Sequence, residues 1–297
     1  MQVVCARNGD LVSMGSLRET AERGLATLVS SPILSRLAGR LADLRLPPAV
    51  LGPVIRGYSR LYGVNLEEAA RPVAAFSSFN AFFTRQLRDG ARPVDTAPAT
   101  VVSPSDSQLS RIGPVPEDGR LEQVKGRTYA LEALLGSPEE AEPFRRGCHA
   151  TLYLSPAMYH RFHSPVSGRV VAWRYVPGRL FPVNAPAVRS VDAVFTRNER
   201  VIVFVETGDH GPVAVALVGA ANVGRITLRF TDLVTNTGAP PQRVEPATPV
   251  LLRRGEEMGA FNLGSTIVLL VADPALAPVD GTPGRLVRVG EALWRRR

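Results

Sequence analysis

Between Leu25 and Leu46 the apolar residues Leu25, Leu28, Val29, Ile33, Leu37, Leu41 and Leu44 recur at steps of mostly three and four, with Arg36, Arg40 and Arg45 set among them. That period puts the apolar side chains on one face of a helix. Pro47-Pro48 closes the stretch, since proline cannot continue a helix. A second helix is predicted over Val50 to Leu61, with Arg56 and Arg60 on its polar side, and Asn65 is placed to cap a short helix through Leu66–Ala70. Phe76, Phe79, Phe82 and Phe83 form a further stripe at helical spacing, ending near Arg88-Asp89-Gly90 and read as core. A basic helix with leucines on its other face suits either a bilayer interface or the surface of its own domain. The pattern alone favours the second.

From about Thr96 onward the pattern changes to short β-branched runs broken by Pro and Gly. Strands are predicted at Ala150–Leu154, Gly168–Tyr175, Arg200–Glu206, Val213–Val218, Arg225–Phe230 and Ser265–Val271. Val201–Val205 and Ile267–Val271 are almost wholly apolar, as strands buried on both faces are. The expected fold is α+β: a helical N-terminal region over residues 1–95, then a mostly antiparallel β catalytic domain over residues 96–297.

Composition narrows the field. Of 297 residues, 45% are hydrophobic and 21% charged, which suits a folded chain with a core. Two cysteines, Cys5 and Cys148, are too few for a disulfide framework or a four-ligand zinc site, and fit a reducing compartment. Met1 to Met14 carry no apolar stretch of a signal peptide, and no run approaches the about 18 apolar residues a spanning helix needs. The expectation is a protein of the cytosol or of a membrane surface. The net charge of +8 comes almost entirely from arginine, Lys125 being the sole lysine. Arginine forks grip phosphate or carboxylate, so anionic partners are plausible. The arginines are scattered except at Arg295–Arg297 and no nucleic-acid motif occurs, so no nucleic-acid partner is expected.

Three segments could carry chemistry. Tyr153 to Pro165 holds His160 and His163, two imidazoles suited to moving protons near neutral pH; a metal pair lacks a clear third ligand, and a purely structural pair stays open. Val101 to Ser107 places Asp106 in a turn-like Ser-Pro-Ser-Asp, where such residues often cap a backbone amide. Gly255 to Thr266 crowds Gly255, Gly259 and Gly264 ahead of Ser265-Thr266 and an apolar strand. This is either a tight loop or an autocatalytic bond, because a glycine before serine tolerates the twisted peptide such an attack requires.

Together and in this order, these segments resemble the phosphatidylserine decarboxylases of the bacterial type. Gly255–Leu270 is similar to that family's processing motif, Tyr153–Pro165 to its Tyr-His-Arg-x-His motif, and Ser103–Asp106 to its Ser-Pro-x-Asp element. Phe79–Arg85 with Arg92-Pro93, Lys125-Gly126 with Tyr129–Leu135, Asn198-Glu199-Arg200 and Val218–Gly224 are further matches, so the likeness runs over roughly residues 20–275. Ser107 replaces a usual glycine, so an altered turn at Asp106 and slower processing are expected, and Met158 stands where an acidic residue is common; neither removes a group the mechanism requires.

The resemblance implies a self-processing proenzyme cut between Gly264 and Ser265 into a β chain (1–264) and an α chain (265–297) that stay together as a heterodimer. By analogy with serine proteases, Asp106 would support His163, and His163 would take the proton of Ser265 as its hydroxyl attacks the Gly264 carbonyl. Ser265 would become a covalent pyruvoyl group, the electron sink for decarboxylation, which also fits a chain with no suitable lysine for pyridoxal phosphate. His160 is assigned proton handling in that second reaction. No metal is implied. The implied substrate is phosphatidylserine, the product phosphatidylethanolamine, and the place of action the cytoplasmic face of the cell membrane, as a peripheral protein on an anionic surface; homo-oligomerisation is left open. Two alternatives compete: a pyruvoyl decarboxylase of a soluble amino acid, and an unprocessed, non-catalytic membrane-binding module.

Overall fold

The computed structural model describes residues 30–124, 126–221, 225–262 and 265–296. Leu25, Leu28, Val29, Lys125 and Gly264 therefore lie outside the described residues. At the centre is a nine-stranded sheet in the order Gln242–Val244, Gly168–Val176, Arg200–Thr207, Gly211–Gly219, Ser265–Val271, Cys148–Leu154, Ser107–Pro114 and Leu286–Val287, with Val250–Leu252 also paired to Gly168–Val176. Every pairing in it is antiparallel. Its outermost strands are short, which limits the exposed edge.

The apolar runs read from sequence form the middle of this sheet. Side chains alternate between faces along a strand: Val213, Val215, Leu217, Ile267, Leu269 and Val271 enter one core, and Ala214, Ala216, Val218, Val268 and Leu270 the other. Continuous apolar strands are usual in parallel sheets covered on both faces. Here an antiparallel sheet is covered on both faces, and the same burial dictates the same composition. One cover is a three-stranded sheet, Arg225–Leu228, Glu257–Asn262 and Arg161–His163, which contributes Ile226, Met258, Phe261 and Phe162. The other is the hairpin Arg120–Val124/Arg127–Ala130 with short helices that contribute Leu131, Leu134 and Phe195. Each such buried aliphatic or aromatic side chain contributes about 1.5–3 kcal/mol.

The N-terminal part is helical, as expected. Helices Pro32–Ala42 and Pro48–Tyr62 are joined by a short link, Pro48 standing at the first position of the second helix and Gly63, at φ 74°, ending it. Phe76, Phe82 and Phe83 are buried, with Leu51, Ile55 and Val64 completing a small core, and Ser78 caps the short helix Phe79–Phe83 through Ala81 N–H. The predicted helix after Asn65 does not form. The Asn65 side chain instead accepts from the Glu67 amide two residues on, a turn that competes with helix entry, and Ala69 bridges to Leu87. The leucine face is also not packed on its own domain: Ile33, Leu37, Leu41 and Leu44 are exposed, and so are Val50, Val54 and Leu61 on the next helix. The first helix turns Ser35 and Gly39 inward instead.

A closed polar clasp ties this region to the β domain. Asn80 donates to Asp43 (2.8 Å) and to Asn262 (3.0 Å), Asn262 donates to the Arg225 carbonyl (3.1 Å), and Arg225 pairs with Asp43. Asn262 ends the strand that leads toward Ser265. That strand also requires glycine at 259, where a Cβ would lie 2.0 Å from the Thr227 carbonyl oxygen of the adjacent strand. Gly259→Ala is accordingly expected to cost about 2 kcal/mol or more, read as a lower urea midpoint at unchanged slope.

Candidate active site

Ser265 is the first residue of the central strand, in register with Leu154 on one side and Gly219 on the other. It is fully buried, and among the described residues its Oγ has no hydrogen-bond partner. An orphaned buried hydroxyl costs about 1–3 kcal/mol, and such exceptions mark places where the group has other work. Thr266, next along, is likewise buried with an unpartnered hydroxyl.

Both ends of the histidine loop are fastened to this strand and the one before it. Leu154 pairs with Ser265, the chain runs on through Ser155–Tyr159, and the His160 carbonyl accepts from Phe261 N–H at 2.8 Å. His160 thus stands beside the end of the strand that leads toward Ser265, whereas His163 is registered with Glu257 at the other end of that strand.

His160 is fully buried against the Phe83 ring, with centroids 4.0 Å apart. Its Nδ1 lies 2.9 Å from the Met158 carbonyl. A carbonyl only accepts, so Nδ1 carries the proton and Nε2 keeps its lone pair. That Nε2 is buried without a partner. Burial pulls the imidazole from 6.5 to about 3, so it is neutral. His163 is arranged in the same way: Nδ1 donates to the Gly255 carbonyl at 3.0 Å, and Nε2 faces the Tyr159 hydroxyl at 3.4 Å. Desolvation lowers its pKa against the opposing pull of Glu257 and Asp106. Gly255 sits at φ +80°, and a Cβ there would meet Val94 at 2.4 Å; glycine is what lets its carbonyl turn to the imidazole.

Asp106 does not hold His163 by a hydrogen bond. Its carboxylate is gripped by Arg92, with Nε at 2.8 and 3.0 Å and Nη2 at 2.5 Å, and it caps the Val289 amide at 3.0 Å. Arg92 also bonds Glu68 at 2.7 Å, which holds the Glu68 carboxyl below its ordinary range. The Asp106 turn reaches His163 through the backbone, where His163 N–H donates to the Pro104 carbonyl at 2.8 Å, and through its charge. Among the described residues no hydrogen bond joins Ser265 to either histidine. The roles of Arg92, Tyr159 and the Gly255 carbonyl were not assigned from sequence. Arg92-Pro93 and Gly255 were noticed only as parts of motifs, and what they face depends on the fold.

Ser107 adopts no left-handed backbone, so serine there introduces no strain, and its Oγ meets Ser105 Oγ at 2.5 Å. Met158 serves His160 through its carbonyl, which any residue supplies. Asn198 and Arg200 have structural partners, the carbonyls of Phe181 and Gly219 for the first and of Leu134, Ala133, Thr196 and Asn198 for the second. A cavity of about 360 Å3, lined by Gln86, Arg88, Arg92, Tyr159, His163 and Glu257, opens at this site. Among the described residues there is no group of acidic, His or Cys side chains fit for a metal.

Comparison with known proteins adds the following. Residues 79–295 match the family model described as phosphatidylserine decarboxylase. A phosphatidylserine decarboxylase proenzyme of Marinobacter nauticus is 44% identical over 267 residues, covering 88% of this chain and 93% of the relative. Proenzymes of the same name from Anaeromyxobacter sp. (strain K) and Pseudomonas aeruginosa are 42% and 43% identical, covering 90% of this chain and 95% and 93% of their own.

The buried neutral histidines set a pH dependence. For His160 the folded pKa, about 3, lies below the unfolded value of 6.5, so the unfolded chain takes up the proton first as pH falls. Stability is kept above pH 6.5 and lost on descent through that window, by up to about 1.4 kcal/mol per pH unit per histidine. Urea unfolding between pH 7 and 5 should show this slope, and His160→Phe should remove close to one proton from it.

Proposed function

Because this chain belongs to the phosphatidylserine decarboxylase family, we propose that it is a self-processing decarboxylase. It would cut itself between Gly264 and Ser265 and convert phosphatidylserine to phosphatidylethanolamine and CO2. The observation that carries this reading is the buried Ser265 hydroxyl at the head of the central strand, unpartnered among the described residues, in a chain whose His160 and His163 both keep Nε2 unprotonated.

In the first reaction His163 Nε2 accepts the Ser265 hydroxyl proton as the oxygen attacks the Gly264 carbonyl. The peptide becomes an ester, with the freed amine retained on residue 265. Loss of the α proton of 265 expels the Gly264 carboxylate and breaks the chain, and water then replaces the enamine nitrogen, which leaves as ammonia. Asp106 and Arg92 act at one remove: they fix the turn whose Pro104 carbonyl holds the His163 strand, and the Asp106 charge favours the imidazolium that forms. The pyruvoyl group made from Ser265 fits a site with an orphaned buried oxygen, and it supplies the carbonyl that draws electrons from the carbon losing CO2. His160, neutral and enclosed with a bare Nε2, would first take up a proton that the substrate ammonium gives up and then return it to that carbon.

A lipid substrate requires approach to a bilayer. The exposed faces of Ile33, Leu37, Leu41 and Leu44 and of Val50, Val54 and Leu61 support docking of residues 1–95 on an anionic membrane, with residues 96–297 as the catalytic part. Among the described residues no helix is long and apolar enough to cross a membrane; we place the protein on the cytoplasmic face. The same exposed faces favour the lipid over a soluble amino acid.

Three outcomes are expected. Intact-mass measurement should find two chains split at 264/265, the smaller lighter by one ammonia than a serine-initiated fragment, and Ser265→Ala should stay whole. His163→Ala should slow cleavage by about 10²–10⁴-fold, while His160→Ala should cleave and then fail to release CO2 from phosphatidylserine. Changing Ile33, Leu37 and Leu41 together to Glu should abolish co-sedimentation with phosphatidylserine-containing vesicles and leave cleavage intact. A single full-length mass for the unaltered protein, or unchanged sedimentation, would refute the corresponding part.

A further inference from the structure

Among the described residues, Arg85 is a buried arginine whose charge goes unsatisfied. Arg200 is buried under four carbonyl oxygens, and Arg92 is held by Asp106 and Glu68. Arg85 is 5% exposed, yet among the described residues its guanidinium has neither a hydrogen bond nor an ion pair, and its Nε is enclosed without a partner. Asp106 and Glu68 lie near enough to favour its charge, but both are taken by Arg92. A cation taken out of water without a counter-ion is costly. The ring of Phe82, 5.3 Å from the guanidinium carbon, supports one side of it.

Arg85 lines a cavity of about 280 Å3 together with Arg71, Ser77, Thr84, Gln86 and Arg161. Three arginines and no carboxylate line the space. Arg161 is fixed by the Thr84 carbonyl (2.8 Å) and Glu257 (2.6 Å), so it is held in place before any ligand arrives. Gln86 is shared with the cavity that holds Tyr159 and His163, and Phe83, two residues before Arg85, stacks on His160. The arginine cavity therefore adjoins the reacting groups.

We propose that Arg85, with Arg71 and Arg161, forms the site that binds the phosphodiester of the lipid substrate, an inference that rests on the decarboxylase reading above. The substrate offers two anions, and physical reasoning chooses between them. Arginines on the carboxylate would stabilise a charge that disappears as CO2 leaves, which raises the barrier. The phosphate keeps its charge throughout, so arginines on it bind ground state and transition state alike. Such binding appears in KM and not in kcat.

The test uses the self-cleaved enzyme, a soluble short-chain phosphatidylserine and, as a separate probe, inorganic phosphate. Arg85→Gln should raise KM by about ten- to a hundredfold, change kcat by less than about threefold, and weaken competitive inhibition by phosphate in parallel. Arg85→Lys, which keeps the charge and loses the fork, should fall between. Removing an uncompensated cation should leave the thermal midpoint unchanged or higher, the opposite of what a structural arginine would give. An unchanged KM in a folded, cleaved Arg85→Gln protein overturns the proposal, as does a fall in kcat at constant KM. Should Arg85→Gln fail to fold, Arg71→Gln at the exposed edge decides: a rise in KM supports the site and an unchanged KM removes it. An unaltered protein that releases no CO2 from phosphatidylserine refutes the decarboxylase reading instead. The site is then judged separately, by whether phosphate raises the thermal midpoint of the unaltered protein and not of the Arg85→Gln variant.

Discussion

The strand Ser265–Val271 is paired along its full length on both sides, with seven registered partners in Cys148–Leu154 and seven in Gly211–Gly219. Everything else in the molecule is arranged around that position. A bond broken immediately before Ser265 leaves the new chain start inside two ladders and two cores, where Ile267, Leu269 and Val271 face one way and Val268 and Leu270 the other. The C-terminal segment is fastened again where Ala292–Arg296 pairs with Thr100–Val102 and Leu276–Pro278. Cleavage there would relax the chain locally without releasing a fragment, because the burial that holds the strand does not depend on the peptide that precedes it.

The same sheet explains the chemistry of its first residue. The serine at the head of this strand has its backbone groups absorbed by the ladders, while its side chain is buried with no partner among the described residues. The two histidines are held by backbone: carbonyls of Met158 and Gly255 fix the imidazole tautomers, and the Pro104 carbonyl fixes the His163 strand. Asp106 contributes as a buried charge neutralised by Arg92. This differs from the linear triad that the protease analogy implies, and it places the orienting role on backbone carbonyls.

The N-terminal helices link an exposed apolar surface to this centre. They send apolar side chains outward and, through Asp43 and Asn80, take hold of Asn262 on the strand leading to Ser265. Tyr58 binds the Pro156 carbonyl in the histidine loop at 2.9 Å, and Phe83 stacks on His160. The helices that carry the exposed apolar faces are thus in direct contact with the histidine loop.

Much of this was legible in the sequence because it depends on local period and local chemistry. Val201–Val205 and Ile267–Val271 declare burial on both faces by composition, the helix that carries Ile33, Leu37 and Leu41 and the stripe Phe76–Phe83 by spacing, and the motifs around Asp106, His163 and Ser265 by residue type at fixed offsets. The sequence could not say which way the leucine face turns, because the decision rests on whether Ser35 and Gly39 fit more closely against the rest of the chain. Nor could it pair Asp106 with Arg92 or leave Arg85 without a partner among the described residues. Those outcomes come from contacts between segments distant in sequence, and the energy of a buried charge is set by what the fold brings beside it.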